Sequence, residues 1–241
     1  MAELYTTPLF SDANLQAYYR LEGNSNDSKG SNNGTDTSIT YSTSYGKYGQ
    51  GASLNGSSSK ITLPSASALE PTGSFTVAGW VNPTNGAADC GFLESLFQST
   101  VLAGFLVGMT GGNLRCLIGK NTGLTINTDY VDVHGSKTIN DGNWHHIAAV
   151  WDGTHIILYV DGVQDSSFSN SINPVYNATV YCKIGCQGET GTDAHFLSGD
   201  IDDLALFNRG LTATEVMSLY NNSLPFYLNI VNQAIVRASR W

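Results

Sequence analysis

The densest run of strand-forming residues is 144–164, where two apolar stretches, 146–151 and 155–160, are each followed by a short polar break. The breaks are Asp-Gly pairs at 152–153 and 161–162, and Asp-Gly supplies the positive φ angles that a tight hairpin turn requires. Two such turns predict a three-stranded antiparallel meander. Because both stretches are apolar at nearly every position, we expect them in a sheet covered on both faces, as in a two-sheet sandwich.

Apolar and β-branched runs elsewhere predict further strands. The first is residues 15–22, where Leu15, Ala17, Tyr19 and Leu21 are expected to share one face. The others are predicted at residues 60–63, 75–81, 92–107, 113–120, 126–133, 179–185 and within 196–207, with another ending near residue 54. The pattern is typical of an all-β fold.

One helix is predicted at residues 211–220. Thr212 as N-cap and Glu215 three positions later form a capping box, and Leu211 can pack against Val216. The chain is therefore expected to be a strand-rich sandwich with one C-terminal helix.

Composition narrows the function classes. The 241 residues include 26 Gly and 13% charged residues, and 20 acidic against 11 basic residues give a formal net charge of −9. Binding to nucleic acid or to an anionic membrane through a basic patch is not expected, because phosphate attraction needs clustered Lys and Arg. No apolar run approaches the roughly 20 residues of a membrane span. No Sec-type signal peptide is visible, so the protein either acts inside the cell or leaves it by another route. An extracellular or virion-surface location is favoured over a cytoplasmic one.

The four cysteines stand at positions 90, 116, 182 and 186. Their spacing does not match a zinc motif, and two residues four apart on a strand are about 13 Å from each other. Buried free thiols are favoured over disulfides, and both over a metal site.

A polar loop follows the first predicted strand. Residues 23–38 contain no apolar side chain, and loops of this length inside a domain are usually functional. Oxygen-bearing side chains are dense there, among them Asn24, Asn26, Asp27, Ser28, Asn32, Asn33 and Asp36. Oxygen ligands suit calcium, whereas Asp and Asn equally favour turns through local backbone hydrogen bonds.

Four motifs that follow this loop occur together in a recognisable order: KYGQGASLNG, SFTVAGWVNP, NWHHIAAVWDGTHIILYVDGV and GDIDDLALFNRGLTATEV. Across about residues 12–222 the chain resembles the laminin-G-like branch of the concanavalin A-like lectin/glucanase superfamily. The resemblance implies a jelly-roll of two antiparallel sheets, with residues 1–11 as an N-terminal arm and 223–241 as an apolar tail.

The resemblance also implies a structural calcium ion, held by the first polar loop and by the aspartate that opens the last core strand. The residues that match these positions are Asp27, Ser28, Asn33, Gly34 and Asp202.

A catalytic function is not expected. Retaining glucanases need two carboxylates flanking the scissile bond, and the nearest acidic cluster, Asp200, Asp202 and Asp203, coincides with the calcium motif. His145 and His146 would point to opposite faces of a strand and cannot bind one metal together.

Two function classes remain. The favoured one is a non-catalytic module that binds carbohydrate or mediates adhesion, with sugar-contacting residues that the sequence does not identify. The alternative is a structural subunit of a virion or surface fibre. It is suggested by an apolar segment, 225–241, that begins at Pro225, ends at Trp241 and could join copies of the chain into a homo-oligomer or pack on its own domain.

Overall fold

The computed structural model describes residues 8–84, 88–176, 182–189 and 192–222. These residues form mainly short strands, with one α-helix and two 3-10 turns. The strands are β1 Leu15–Tyr19, β2 Thr35–Thr37, β3 Thr40–Ser42, β4 Gly51–Asn55, β5 Lys60–Thr62, β6 Phe75–Pro83, β7 Cys90–Gln98, β8 Leu102–Thr110, β9 Asn113–Lys120, β10 Tyr130–Thr138, β11 His145–Trp151, β12 His155–Val160, β13 Val163–Ser169, β14 Lys183–Ile184, β15 Gln187–Glu189, β16 Thr192–Ala194 and β17 Ser198–Phe207. The helix, α1, is Ala213–Asn222, and the turns are Pro8–Ser11 and Ser67–Leu69.

Two antiparallel sheets form a sandwich, as predicted. The eight-stranded sheet has the order β13-β12-β11-β6-β17-β4-β3, with β1 also pairing with β17. The seven-stranded sheet has the order β10-β9-β8-β7-β14-β5-β2, and β15 and β16 form a separate hairpin. The predicted meander is β11-β12-β13, with Asp161, Gly153 and Gly162 at positive φ in its turns.

The main core lies between the two sheets. Phe75 of β6 and Phe105 of β8 pack across the interface with ring centroids 4.9 Å apart, and both are fully buried. Trp151 and Ile61 are also fully buried in this cluster. Burying side chains of this size stabilises the fold by roughly 1.5–3 kcal/mol each.

Helix α1 covers the outer face of the eight-stranded sheet. Val216 packs there with Tyr18, Phe207 and Leu211 in a second apolar cluster. The predicted capping box is present, because the Thr212 backbone N–H donates to Glu215 Oε2 at 2.8 Å and the Glu215 N–H donates to Thr212 Oγ1 at 3.3 Å. The sequence prediction of this helix is confirmed.

The predicted single strand at 92–107 is wrong. The structure has two strands there, β7 and β8, joined by a turn in which the Ser99 N–H donates to the Val101 carbonyl at 3.1 Å. This turn contains neither Gly nor Pro, which are the residues that mark a turn in sequence. The strand predicted at 126–133 is observed at Tyr130–Thr138, because residues 121–129 form an ordered loop.

The prediction that Leu15, Ala17, Tyr19 and Leu21 share one face of the first strand is wrong for Leu15. The pairing of β1 with β17 shifts between Leu15 and Ala17, so Gln16 is an extra residue in a β-bulge. Leu15 therefore joins the outer cluster, whereas Ala17 and Tyr19 lie in the main core. A bulge redirects the side chains on either side of it, and this one turns Gln16 towards a cleft described below.

The four cysteines are buried and unpaired. The described helix is too short and too polar to cross a membrane. Most of the predicted arm at 1–11 and the whole tail at 223–241 lie outside the described residues, so these boundaries stay predictions.

Candidate functional site

Asp27 organises the first polar loop. Its Oδ1 accepts hydrogen bonds from the backbone N–H groups of Tyr18 at 3.1 Å and Lys29 at 2.9 Å. Its Oδ2 accepts two more, from the backbone and side-chain amides of Asn32, both at 3.1 Å. A carboxylate offers about four lone-pair positions, and all of them are used here. Asp27 thus has the turn-forming role that the composition of the loop also allowed.

The other predicted loop ligands are arranged around this carboxylate. The Ser28 N–H donates to a carbonyl of β1 at 2.8 Å, and the Asn33 Oδ1 accepts from the Asp27 N–H at 3.0 Å. Gly34 is required by packing, since a Cβ on it would lie 2.3 Å from Ile61 Cγ2. The loop is therefore folded tightly against β1 and β5.

Asp202 differs from Asp27 because one of its carboxylate oxygens has no hydrogen-bond partner among the described residues. It is fully buried on the outer face of the eight-stranded sheet, directly opposite Trp80 in the strand register. Its Oδ2 accepts from the Tyr48 N–H at 2.9 Å, whereas its Oδ1 has no hydrogen-bond partner among the described residues. Burial, followed by the neighbouring carboxylates of Asp203 and Glu22, raises the pKa of Asp202 to about 9. Such a carboxylate requires a proton or a cation to balance it.

The two ends of the predicted calcium site differ in their fit to a cation. Asp202 fits, because it has an unpaired buried oxygen and a second carboxylate, Glu22, nearby. Asp27 has no lone pair left in this arrangement. Within the described residues no group of three or more His, Cys, Asp or Glu side chains is arranged for a metal. The predicted ligand set of Asp27, Ser28, Asn33, Gly34 and Asp202 therefore stays a prediction. Sequence reasoning overlooked Glu22, which ends the predicted strand at 15–22 and stands three residues after β1 in the structure.

A charged network lies on the outer face of the seven-stranded sheet. Glu94 is fully buried, its Oε1 accepts from the Gly188 N–H at 2.7 Å, and Lys183 Nζ is 4.0 Å away. Lys183 and Lys60 both form ion pairs with Asp193, the former at 2.7 Å. Burial raises the pKa of Glu94 to about 8. These contacts hold the β15–β16 hairpin over the sheet. The sequence signal that could have revealed them is Glu94, a charged residue inside the apolar run of β7.

A second ion-pair network lies on β9 and β10. The Arg115 Nε and Nη2 donate to the two carboxylate oxygens of Asp132, both at 2.8 Å, and Asp89 is 3.5 Å from the same guanidinium. His134 Nε2 lies 3.1 Å from Asp132. The Arg115 charge is thus already paired within the domain.

A polar cleft opens where β1, the 67–74 segment and the end of β17 meet. It encloses about 260 Å³, slightly below the roughly 300–1,000 Å³ typical of small-molecule sites. Its lining includes amide, hydroxyl and carboxyl side chains, which are those of Gln16, Ser67, Glu70, Thr72, Ser74 and Asn208. Among the residues described, the lining contains no lysine, arginine or aromatic ring. Sequence reasoning assigned no binding role to these residues: Ser74 and Asn208 lie in the quoted motifs SFTVAGWVNP and GDIDDLALFNRGLTATEV, and the other four lie outside every motif.

Hydrogen bonds hold the chain segments that line this cleft. The Thr76 hydroxyl donates to the Arg209 carbonyl and accepts from the Leu211 N–H, both at 2.9 Å, which holds the chain just after Asn208. At Pro71, another residue of the lining, the carbonyl accepts a hydrogen bond from the Tyr176 hydroxyl at 2.9 Å. The cleft is therefore a formed feature of the fold.

The profile of Laminin_G_3, in the concanavalin A-like lectin/glucanases superfamily, matches residues 55–217, about two thirds of the chain. The chain belongs to this family. A comparison of the sequence with curated proteins found no match.

Solved structures share the fold of this laminin-G domain. Domain 4 of AbnA, a GH43 extracellular arabinanase from Geobacillus stearothermophilus, solved with arabinotriose, is 24% identical with a TM-score of 0.63, over 87% of this chain and 99% of that one. The binding domain of Paraclostridial Mosquitocidal Protein 1 is 18% identical with a TM-score of 0.69, over 86% of this chain and 52% of that one. The binding domain of Botulinum Neurotoxin DC in complex with SialylT is 11% identical with a TM-score of 0.64, over 89% and 52%. The laminin-G domain thus spans about half the length of the toxin domains.

Several acidic residues of this laminin-G domain are engaged in structural contacts. Asp202 is buried, the Asp203 carboxylate accepts from the Tyr18 hydroxyl, and Glu94 is buried beneath the β15–β16 hairpin. Hydrolysis requires two carboxyl groups that face one sugar ring about 5–10 Å apart. We find no such pair facing the polar cleft, where Glu70 is the only acidic residue in the described lining.

Proposed function

We propose that this domain is a non-catalytic carbohydrate-binding domain whose binding site is the polar cleft. The observation that carries the proposal is the chemistry of the cleft lining, which offers amides, hydroxyls and one carboxyl group. Amides both donate and accept hydrogen bonds, and hydroxyls do the same. This combination matches a ligand whose surface is mostly hydroxyl groups.

The similar fold of a domain solved with arabinotriose supports this proposal. The volume of the cleft suits one sugar ring better than a long chain. Since the lining lacks an aromatic platform among the described residues, affinity comes from hydrogen bonds, and a dissociation constant in the micromolar to millimolar range is expected.

We propose that calcium, if bound, is structural and is held through Asp202, with Glu22 close by. The ion would supply the positive charge that the unpaired Asp202 Oδ1 lacks. Because Tyr48 also bonds to this carboxylate, the ion would strengthen the link between the 45–50 segment and β17.

A glycan-array screen with calcium present tests the main proposal. Binding to at least one glycan is expected, and the double substitution Gln16→Ala with Asn208→Ala should abolish it. The matched control is Gln164→Ala, which removes an exposed glutamine from β13, a strand outside the cleft lining. No binding to any glycan, or binding unaffected by the double substitution, would contradict the proposal.

A further inference from the structure

We propose that the cleft selects uncharged sugars, that Glu70 accepts hydrogen bonds from their hydroxyl groups, and that sugars bearing a carboxylate or sulfate are rejected. This inference rests on the proposed carbohydrate-binding function and assigns the chemical class of its ligand.

Glu70 supplies the only carboxylate in the described lining of the cleft. It lines the cleft and is partly buried, and its carboxylate makes no ion pair with any residue that the structure describes. Burial raises its pKa above the ordinary value, which is the effect expected when a carboxylate loses water without gaining a counter-charge. Two adjacent hydroxyl groups of a neutral sugar would replace that lost water, because each hydroxyl can donate one hydrogen bond to the carboxylate.

No lysine or arginine in the described lining compensates the Glu70 charge. Arg209 follows Asn208 in the chain, but its guanidinium donates to Asp12 Oδ2 from Nη2 at 2.6 Å and from Nε at 2.8 Å. It also donates to both oxygens of Glu215, at 2.6 and 3.0 Å. This arginine is therefore committed to holding the start of α1 against the Pro8–Ser11 turn. An anionic sugar in the cleft would meet the Glu70 charge without a neutralising partner.

Two amide side chains, those of Gln16 and Asn208, lie in the same cleft. Gln16 occupies the bulge in β1, and its Nε2 donates to the Asn14 carbonyl at 3.2 Å, which leaves Oε1 as an acceptor. Asn208 is exposed at the end of β17, and its backbone N–H donates to the same Asn14 carbonyl at 2.9 Å. One carbonyl thus positions both residues. Their side chains can hydrogen bond further hydroxyls without adding charge.

The mouth of the cleft offers a test position. A Cβ added at Gly73 would meet no atom within 4 Å, and its φ is not in the left-handed region. Gly73→Lys is therefore expected to fold normally and to place a positive charge beside the Glu70 carboxylate. Gly73→Ala is the matched control for the loss of glycine.

The experiment is calorimetric titration of the full chain with pairs of oligosaccharides that share linkage and length but differ in charge, such as α-1,4-linked galactobiose and α-1,4-linked digalacturonate. The wild type is expected to bind the neutral member at least about tenfold more tightly, since a like charge a few ångströms away is strongly disfavoured in a partly desolvated site. Glu70→Gln should weaken binding of the neutral sugar about tenfold, which is the effect of losing a charged acceptor. It should also reduce the difference in affinity between the neutral and the acidic member of each pair. Gly73→Lys should narrow it by improving binding of the acidic member.

Asp36→Asn serves as the charge control, because it removes one negative charge from an exposed residue of β2, a strand of the other sheet. Circular dichroism confirms that each variant is folded. Equal affinity for neutral and acidic sugars would overturn the selectivity inference and leave the binding function standing. Neutral-sugar binding that Glu70→Gln leaves unchanged would overturn the role of Glu70, and the absence of binding to any sugar would overturn the proposed function itself.

Discussion

Thr76 is a single buried hydroxyl that joins the sandwich to the segment leading into α1. It is fully buried, donates to the Arg209 carbonyl and accepts from the Leu211 N–H. Thr76→Val keeps the shape of the side chain and removes both hydrogen bonds. The change therefore isolates the polar contribution from packing.

The expected cost follows from the burial of the two groups left behind. Leu211 is buried, so its unpaired N–H costs about 1–3 kcal/mol. Arg209 is partly exposed, so water can replace part of the bond to its carbonyl and the loss is about 0.5–1.5 kcal/mol. Together they predict that Thr76→Val lowers the free energy of unfolding by about 1.5–4.5 kcal/mol, a large share of the roughly 5–15 kcal/mol that stabilises a typical domain.

Guanidinium chloride unfolding followed by tryptophan fluorescence measures this change. Thr76→Ser is the matched control, because it keeps the hydroxyl and loses one methyl group, at a cost of about 1 kcal/mol. The valine variant should be clearly less stable than the serine variant. The slope of the unfolding free energy against denaturant concentration should be the same for both variants. A valine variant as stable as the serine variant would refute the reasoning.

Four further predictions address other parts of the molecule. If calcium is held through Asp202, a chelator should lower the melting temperature and Asp202→Ala should remove that difference; a melting curve unaffected by chelator would end the calcium proposal. The hydrogen bonds from Arg209 lower the pKa of Glu215 to about 2, so the stability that this pair contributes is complete above about pH 4.3 and is lost as the pH falls towards 2. The stability difference between wild type and Arg209→Ala, measured by urea unfolding, should accordingly shrink between pH 4 and pH 2, and a constant difference would argue against it. If residues 225–241 mediate assembly, light scattering should show oligomers for the full chain and monomers for a chain ending at Asn222, whereas monomers in both would exclude it. No release of reducing ends from laminarin or lichenan is expected, and release abolished by one acidic substitution would contradict a non-catalytic function.

The fold could be predicted from sequence wherever local chemistry and packing agree. The Asp-Gly pairs at 152–153 and 161–162 define the meander because few other residue pairs tolerate the required φ angles. Thr212 and Glu215 define the start of α1 because their hydrogen bonds are local. The turn near Ser99 could not be predicted, since it has no Gly or Pro and depends on how β7 and β8 pair in three dimensions.

The candidate site was less accessible to sequence reasoning because it is built from distant segments. Gln16, Glu70 and Asn208 come together only when β1 pairs with β17 and the 67–74 segment packs beside them. The bulge that redirects Gln16 is a property of strand register, which an alternating pattern does not reveal. Asp202 was identified from its motif, but its unpaired oxygen follows from burial beneath the Tyr48 segment.

The most direct test of carbohydrate binding in the polar cleft is the mapping of amide chemical shifts by NMR during titration with a neutral oligosaccharide. The account predicts that the largest shifts occur at Gln16, in residues 67–74 and at Asn208, and that they saturate with a single dissociation constant. Shifts concentrated instead on the outer face of the seven-stranded sheet, or no saturable shifts with any sugar found on the array, would contradict it.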